Sequence, residues 1–142
     1  MNGSCATALY LGAHVHALSG DAAIAEDYAA RALRLSPFDP FGFMALYSLG
    51  FVRVRERRFD EAAALCSKAV QANPRFSTLY AFQTAILAEA GRDVEARSVA
   101  RRLLELEPNF HVRPFLGFFS GFTLKAVAEP LSAGLRKVGL PE

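Results

Sequence analysis

Three histidines, two cysteines and fourteen carboxylates are the groups in this 142-residue chain that could act on a substrate or hold a metal ion. Their spacing argues against both. His14 and His16 stand two apart in a segment of helical apolar spacing, so their side chains diverge by about 200° and cannot grip one ion. His111 is remote from both. Cys5 and Cys66 form no C-x-x-C pair and supply too few ligands for a structural zinc, which predicts two reduced, structural thiols. The carboxylates are scattered over turns and outer helix faces, with no pair enclosed in apolar sequence where desolvation would tune one for acid–base work. No G-x-x-x-x-G-K-[ST], G-x-G-x-x-G or G-x-S-x-G is present, so neither a phosphate-cradling loop nor a nucleophile elbow is expected. The sequence predicts no catalytic residue, no metal site, no cofactor and no enzyme.

The basic run RVRERR, residues 53–58, falls at a predicted helix end, where cations favour the C-terminal dipole. A solvated structural role is expected, with an acidic partner as the alternative. Nucleic acid is not an expected partner: the net charge is only +2, and no aromatic residues that could stack on bases are interleaved with the run.

Composition bounds the elements that must position these groups. With 52% apolar and 21% charged residues, the chain is long enough for one domain with a sizeable core. The apolar segment from Pro114 to Leu124, which includes FLGFFSGF at 115–122, is about half the roughly 20 residues a bilayer requires, so no membrane contact is expected. The opening MNGSCATALYLGAHVHALSGD has no basic flank and no dense apolar run, so it does not read as a secretory signal; a cytoplasmic location is expected.

Laid against itself, the chain repeats. Residues 43–76 and 77–110 are each 34 residues long and both end in Phe, and Pro74 and Pro108 hold one place. Ala62 and Ala96 share a second place, Cys66 and Ala100 a third. Ala25, Ala29, Ala32 and Pro37 match Ala62, Cys66, Ala69 and Pro74, so a first unit precedes these two, with three extra residues at the junction SPFDPF. Apolar spacing within each unit predicts two helices, separated by polar turns at Gly20-Asp21, Arg58-Phe59-Asp60 and Gly91-Arg92-Asp93. Each closing proline lacks a backbone donor and ends the second helix. The helices expected are 5–19, 22–35, 41–55, 60–72, 77–90 and 93–106.

The 34-residue period, with Leu49-Gly50, the Ala62-x-x-x-Cys66 spacing and Pro74, resembles the tetratricopeptide repeat. Ala29, Cys66 and Ala100 stand where that repeat usually has an aromatic ring. The resemblance implies an all-α superhelix, an α-α solenoid of three helix-turn-helix repeats at about 6–39, 43–76 and 77–110, followed by capping helices in 111–142. Gly50 and Ala62 are expected where the paired helices approach most closely. A second resemblance lies in RALRLSPFDP, residues 31–40, and GLRKVGLPE, residues 134–142. These are similar to the C-terminal repeat region of bacterial class III adenylate and guanylate cyclases and of winged-helix regulators. It implies a signalling protein with a catalytic or DNA-binding domain upstream of this piece.

Such a solenoid leaves its last pair with an uncovered face. The residues 111–119 and a final helix over 124–137, with Pro130 kinking or starting it, are expected to cover that face. A partner-binding patch at FLGFFSGF is the alternative. At the other end Leu9, Leu11, Val15 and Leu18 lack a preceding helix, and the mean hydropathy of +0.18 is high, so self-association there is expected.

Stacked repeats build their concave face from the first helix of each pair. Counting along those helices puts Tyr10, His14 and Ala17, then Tyr47, Phe51 and Val54, then Ala81, Ala85 and Ala88 on the inner side. The expected site is thus an apolar, aromatic protein-binding groove anchored by Tyr47 and Phe51. Lys, Arg and Asn are missing from these places, which disfavours acidic peptide tails. A helical or extended apolar segment fits better, one source being the parent's own upstream domain. The alternative is that the rings simply fill a narrow superhelix.

Overall fold

A computed structural model describes residues 3–119 and 125–142, and among them every regular element is helical. The pairs are α1 (Gly3–Ser19) with α2 (Ala22–Leu35), α3 (Phe43–Arg55) with α4 (Phe59–Ala72), and α5 (Ser77–Glu89) with α6 (Asp93–Leu106). Two further helices follow, α7 (Val112–Gly117) and α8 (Lys125–Lys137). Residues 120–124, which include the end of the expected patch at 115–122, lie outside the described residues. No helix among the described residues is long and apolar enough to cross a membrane.

The two members of a pair have different jobs, and their sequences show it. The second helices bury a narrow stripe of small residues: Ala25, Ala29 and Ala32 in α2, and Ala62, Cys66 and Ala69 among those in α4. The first helices of the second and third pairs are buried almost all round, from Phe43 to Val54 in α3 and from Leu79 to Ala88 in α5. A helix enclosed on every side needs its few hydroxyls satisfied locally. Ser48 and Thr84, both fully buried, donate to the carbonyls of Met44 and Tyr80 at 2.8 Å.

The turns inside the pairs are alike. The N–H groups of Asp21, Arg58 and Arg92 reach back to the carbonyls of His16, Arg53 and Leu87, each at 2.9 Å, closing the first helix with a six-residue Schellman bond. That closure needs a left-handed residue just before, and Gly20, Arg57 and Gly91 occupy it at φ 93°, 58° and 77°. Between pairs, the residue before each proline leaves the helical region, Ser36, Asn73 and Glu107 having φ of −142°, −143° and −138°. The extra residues at SPFDPF form a 3-10 turn, Pro40–Gly42, pinned by the Asp39 carboxylate accepting from the Phe41 N–H at 2.9 Å.

Gly50 corrects one expectation. It faces not its paired helix α4 but α5 of the next pair, where a Cβ would stand 3.1 Å from the Phe82 ring. Pro130 lies within α8, which continues through it. That helix packs chiefly on α5, with a smaller contact to α3, and buries Val127, Leu131 and Leu135. It runs parallel to α5: Gly134 lies against Ala85, and Lys137 Nζ bonds Glu89 at 2.7 Å. The cap therefore covers first helices, the inner side of the third pair. The following tail hooks back, the Pro141 and Glu142 carbonyls accepting from the free N–H groups of Val112 and Arg113 at the start of α7 at 2.7 and 3.1 Å.

Candidate binding groove

Where α8 stops covering the first helices, an open hollow of about 600 Å³ remains between α1, α3, the start of α5 and α7. α1 contributes His14, Val15 and Leu18, which share one face of that helix. Its floor is Tyr47 and Phe51, and Phe76 and Thr78 close one end. Phe115, Phe118 and Phe119, from α7 and the turn after it, form the far wall.

The floor is a continuous aromatic cluster. Phe51 meets Tyr47, Phe82 and Phe119 with ring centroids 4.7, 4.6 and 5.8 Å away, and Phe115 meets Phe119 at 5.4 Å, all in the tilted or edge-on arrangements that rings prefer. The rim is different: Val15 is 60% and Phe118 80% exposed. His14 stacks on Tyr47 at 5.7 Å, sets its edge to Phe51 at 5.5 Å and pairs through Nδ1 with Ser48 Oγ at 3.3 Å. Burial holds its pKa below the ordinary imidazole range, and burial pushes the Tyr47 phenol up.

The nine residues expected on the inner face divide into three groups. His14, Tyr47 and Phe51 come together in the groove. Tyr10 does not: it is 3% exposed in a separate core cluster with Ala6, Ala13, Ala29, Ala32 and Ala45, between α1, α2 and α3. Its hydroxyl lies near the Asp39 carboxylate, and burial, then that carboxylate, push its pKa up. Val54 and Ala17 are likewise core, wholly buried. Ala81, Ala85 and Ala88 are buried rather than open, with α8 seated on their helix and Gly134 directly against Ala85.

The spacing argument missed Val15, Leu18, Phe76, Thr78 and the α7 phenylalanines. For the last group the signal was FLGFFSGF itself, which does two things at once: Phe115 and Phe119 are buried, and Phe118 stands out at the rim. The basic run is occupied locally. Arg53 bonds Glu26, Glu56 and Glu61 at 2.8, 2.7 and 3.4 Å, Arg58 bonds Glu61 at 2.7 Å, and Arg55 donates to the Leu18 carbonyl at 3.1 Å. Cys66 is buried, with its thiol pushed up by burial and donating to the Leu79 carbonyl at 3.4 Å; Cys5 is exposed. Among the described residues no three His, Cys, Asp or Glu side chains gather as metal ligands.

Comparison with known proteins bears on the fold. A mutant O-GlcNAc transferase from Thermobaculum terrenum is similar in structure, with a TM-score of 0.67 and 22% sequence identity over 95% of this chain and 26% of that one. The chain is an all-α superhelix of tetratricopeptide-like helix pairs. Its sequence matches no protein-family model and no curated protein. The likeness gives no link to adenylate or guanylate cyclases, and the chain spans only about a quarter of the similar protein's length.

Proposed function

We propose that this chain is a non-catalytic protein-interaction module whose groove holds an apolar segment, helical or extended, of another protein or of an adjoining domain. The observation that carries this reading is the contrast between floor and rim: a buried aromatic floor topped by Phe118 and Val15, which are largely exposed and have nothing of this chain over them among the described residues. Exposed apolar groups that flank a concave apolar surface are what a partner covers. The test is fluorescence anisotropy with a labelled amphipathic helical peptide carrying Leu and Phe on one face. Binding that is lost in Val15→Glu/Phe118→Glu, with an unchanged melting temperature, supports the groove; no binding, or equal binding by the variant, overturns it.

The cyclase-like strings at 31–40 and 134–142 support a signalling parent with a catalytic domain elsewhere, and a cytoplasmic setting with it; a winged-helix regulator is the second such parent. The chain alone should then form no cyclic nucleotide from ATP or GTP. Leu11, 57% exposed beside Val15 on α1, supports a second reading in which two copies associate through their N-terminal helices. A monomer by sedimentation at high concentration would remove that one.

A further inference from the structure

The repeat measures what α1 lacks. With Gly20, Arg57 and Gly91 at one place, Ala8, Leu11 and Val15 of α1 match Ala45, Ser48 and Val52 of α3, and Leu79, Phe82 and Ile86 of α5. All six matching residues are at most 1% exposed, whereas Leu11 is 57% and Val15 60% exposed, with Ala8 exposed beside them. What buries the matching places is the pair just ahead. Ala45 clusters with Ala29 and Ala32 of α2, and the Leu79 carbonyl accepts from Cys66 of α4 at 3.4 Å, so the small-residue stripe of a second helix covers this place. Ser48 lies against His14 of α1, and Phe82 against Gly50 and Phe51 of α3, so each first helix also covers the next. Among the described residues α1 has neither cover. Its exposed stripe is unlike a solvated face, since Gly3–Ser19 holds no Asp, Glu, Lys or Arg, whereas α2 exposes Asp27, Arg31 and Arg34.

We propose that Ala8, Leu11 and Val15 are the seat for a further helix pair of the same kind, ahead of α1 in the polypeptide. Its second helix would bring small residues at i, i+4 and i+7 onto Ala8, and its first helix would cover Leu11. A second copy of this chain does not fit, because the small-residue stripes of α2, α4 and α6 are all buried within it and none is left to offer. The inference is independent of the groove reading: Ala8 and Leu11 do not line the groove.

Residues 43–76 joined directly to Ala6 keep the 34-residue period, since Phe76 then precedes Ala6 as it precedes Ser77. The lengthened chain should unfold in urea in one transition, at a higher midpoint than the unaltered chain. Ala8→Glu/Leu11→Glu should scarcely move the midpoint of the unaltered chain but lower that of the lengthened one by about 1 M, the cost of buried charge read through the urea slope. The same extension made with residues 77–110 guards against a graft that fails to fold for reasons of its own. Equal effects of the substitution in short and long chains, or failure of both extensions to fold onto the rest, overturns the inference. So does a dimer of the unaltered chain, seen by sedimentation, that Ala8→Glu/Leu11→Glu dissolves, which would give the face to a second copy. Binding of the groove peptide should be unchanged by that substitution, so its absence bears on the groove alone.

Discussion

Gly134 lies so close to Ala85 that a Cβ built on it would stand 2.2 Å from the Ala85 carbonyl oxygen and 2.7 Å from its Cα. The obstacle is backbone, which cannot swing aside as a side chain can. Gly134→Ala should therefore push α8 off α5 and destabilise the chain by about 1–3 kcal/mol, although alanine is the better helix former by up to about 1 kcal/mol. Gly117→Ala, where nothing lies within 4 Å, is the control and should be neutral or slightly stabilising. Urea unfolding of both decides: equal midpoints would mean that α8 is not held as described.

Arg57 sits at φ 58° in the place where the other two repeats have glycine. A left-handed conformation costs a non-glycine residue about 1 kcal/mol. Arg57→Gly removes that strain but also the guanidinium stacked 5.3 Å over Phe59, worth about 0.5 kcal/mol at an exposed site. The expected result is a net gain of about 0.5 kcal/mol by urea unfolding. Gly91→Ala should move the other way by about 1 kcal/mol.

Floor and rim of the groove should separate in mutagenesis. Phe51 is wholly buried among the rings of His14, Tyr47, Phe82 and Phe119, and Phe51→Ala should cost about 3–5 kcal/mol, enough to unfold much of the chain. Val15→Ser and Phe118→Ser, at exposed positions, should change stability by no more than about 0.5 kcal/mol and weaken peptide binding instead. A melting temperature that falls steeply in Phe118→Ser would make the rim part of the core.

His14 gives the fold a dependence on pH. Its folded-state pKa is held below the unfolded value of about 6.5 by burial alone. Between those two values the unfolded chain binds more protons, so the stability His14 contributes is full above about pH 6.5 and is lost as pH falls towards the folded-state pKa. Other groups titrate too, and the difference between the native chain and His14→Phe isolates this one. Urea midpoints at about pH 7.5 and about pH 5.5 should fall further for the native chain than for the variant.

Much of the scaffold was legible in the residues. The expected helix limits for the six repeat helices fall within two residues of those observed, because their signals are local: small residues at four-residue spacing, a left-handed closure after each first helix, a proline after each second. Arg57 shows the limit even there: nothing in its side chain announces a left-handed turn, and the polar turn expected from the sequence, Arg58-Phe59-Asp60, starts one residue later.

The inner face was legible only in part, for a reason of range. Periodicity along α1, α3 and α5 says which side of a helix is apolar, not which neighbour covers it. Tyr10 and Val54 are covered by adjacent helices, whereas Ala81, Ala85 and Ala88 lie on the helix that receives α8, a segment some 50 residues further along. By itself the sequence determined that helix pairs stack with small residues between them and that an apolar tail must find cover. Only tertiary packing decided that Gly134 admits the tail helix against Ala85 while Phe115, Phe118 and Phe119 turn towards Phe51 and His14. That choice is made by long-range burial and close backbone approach, which no local spacing records.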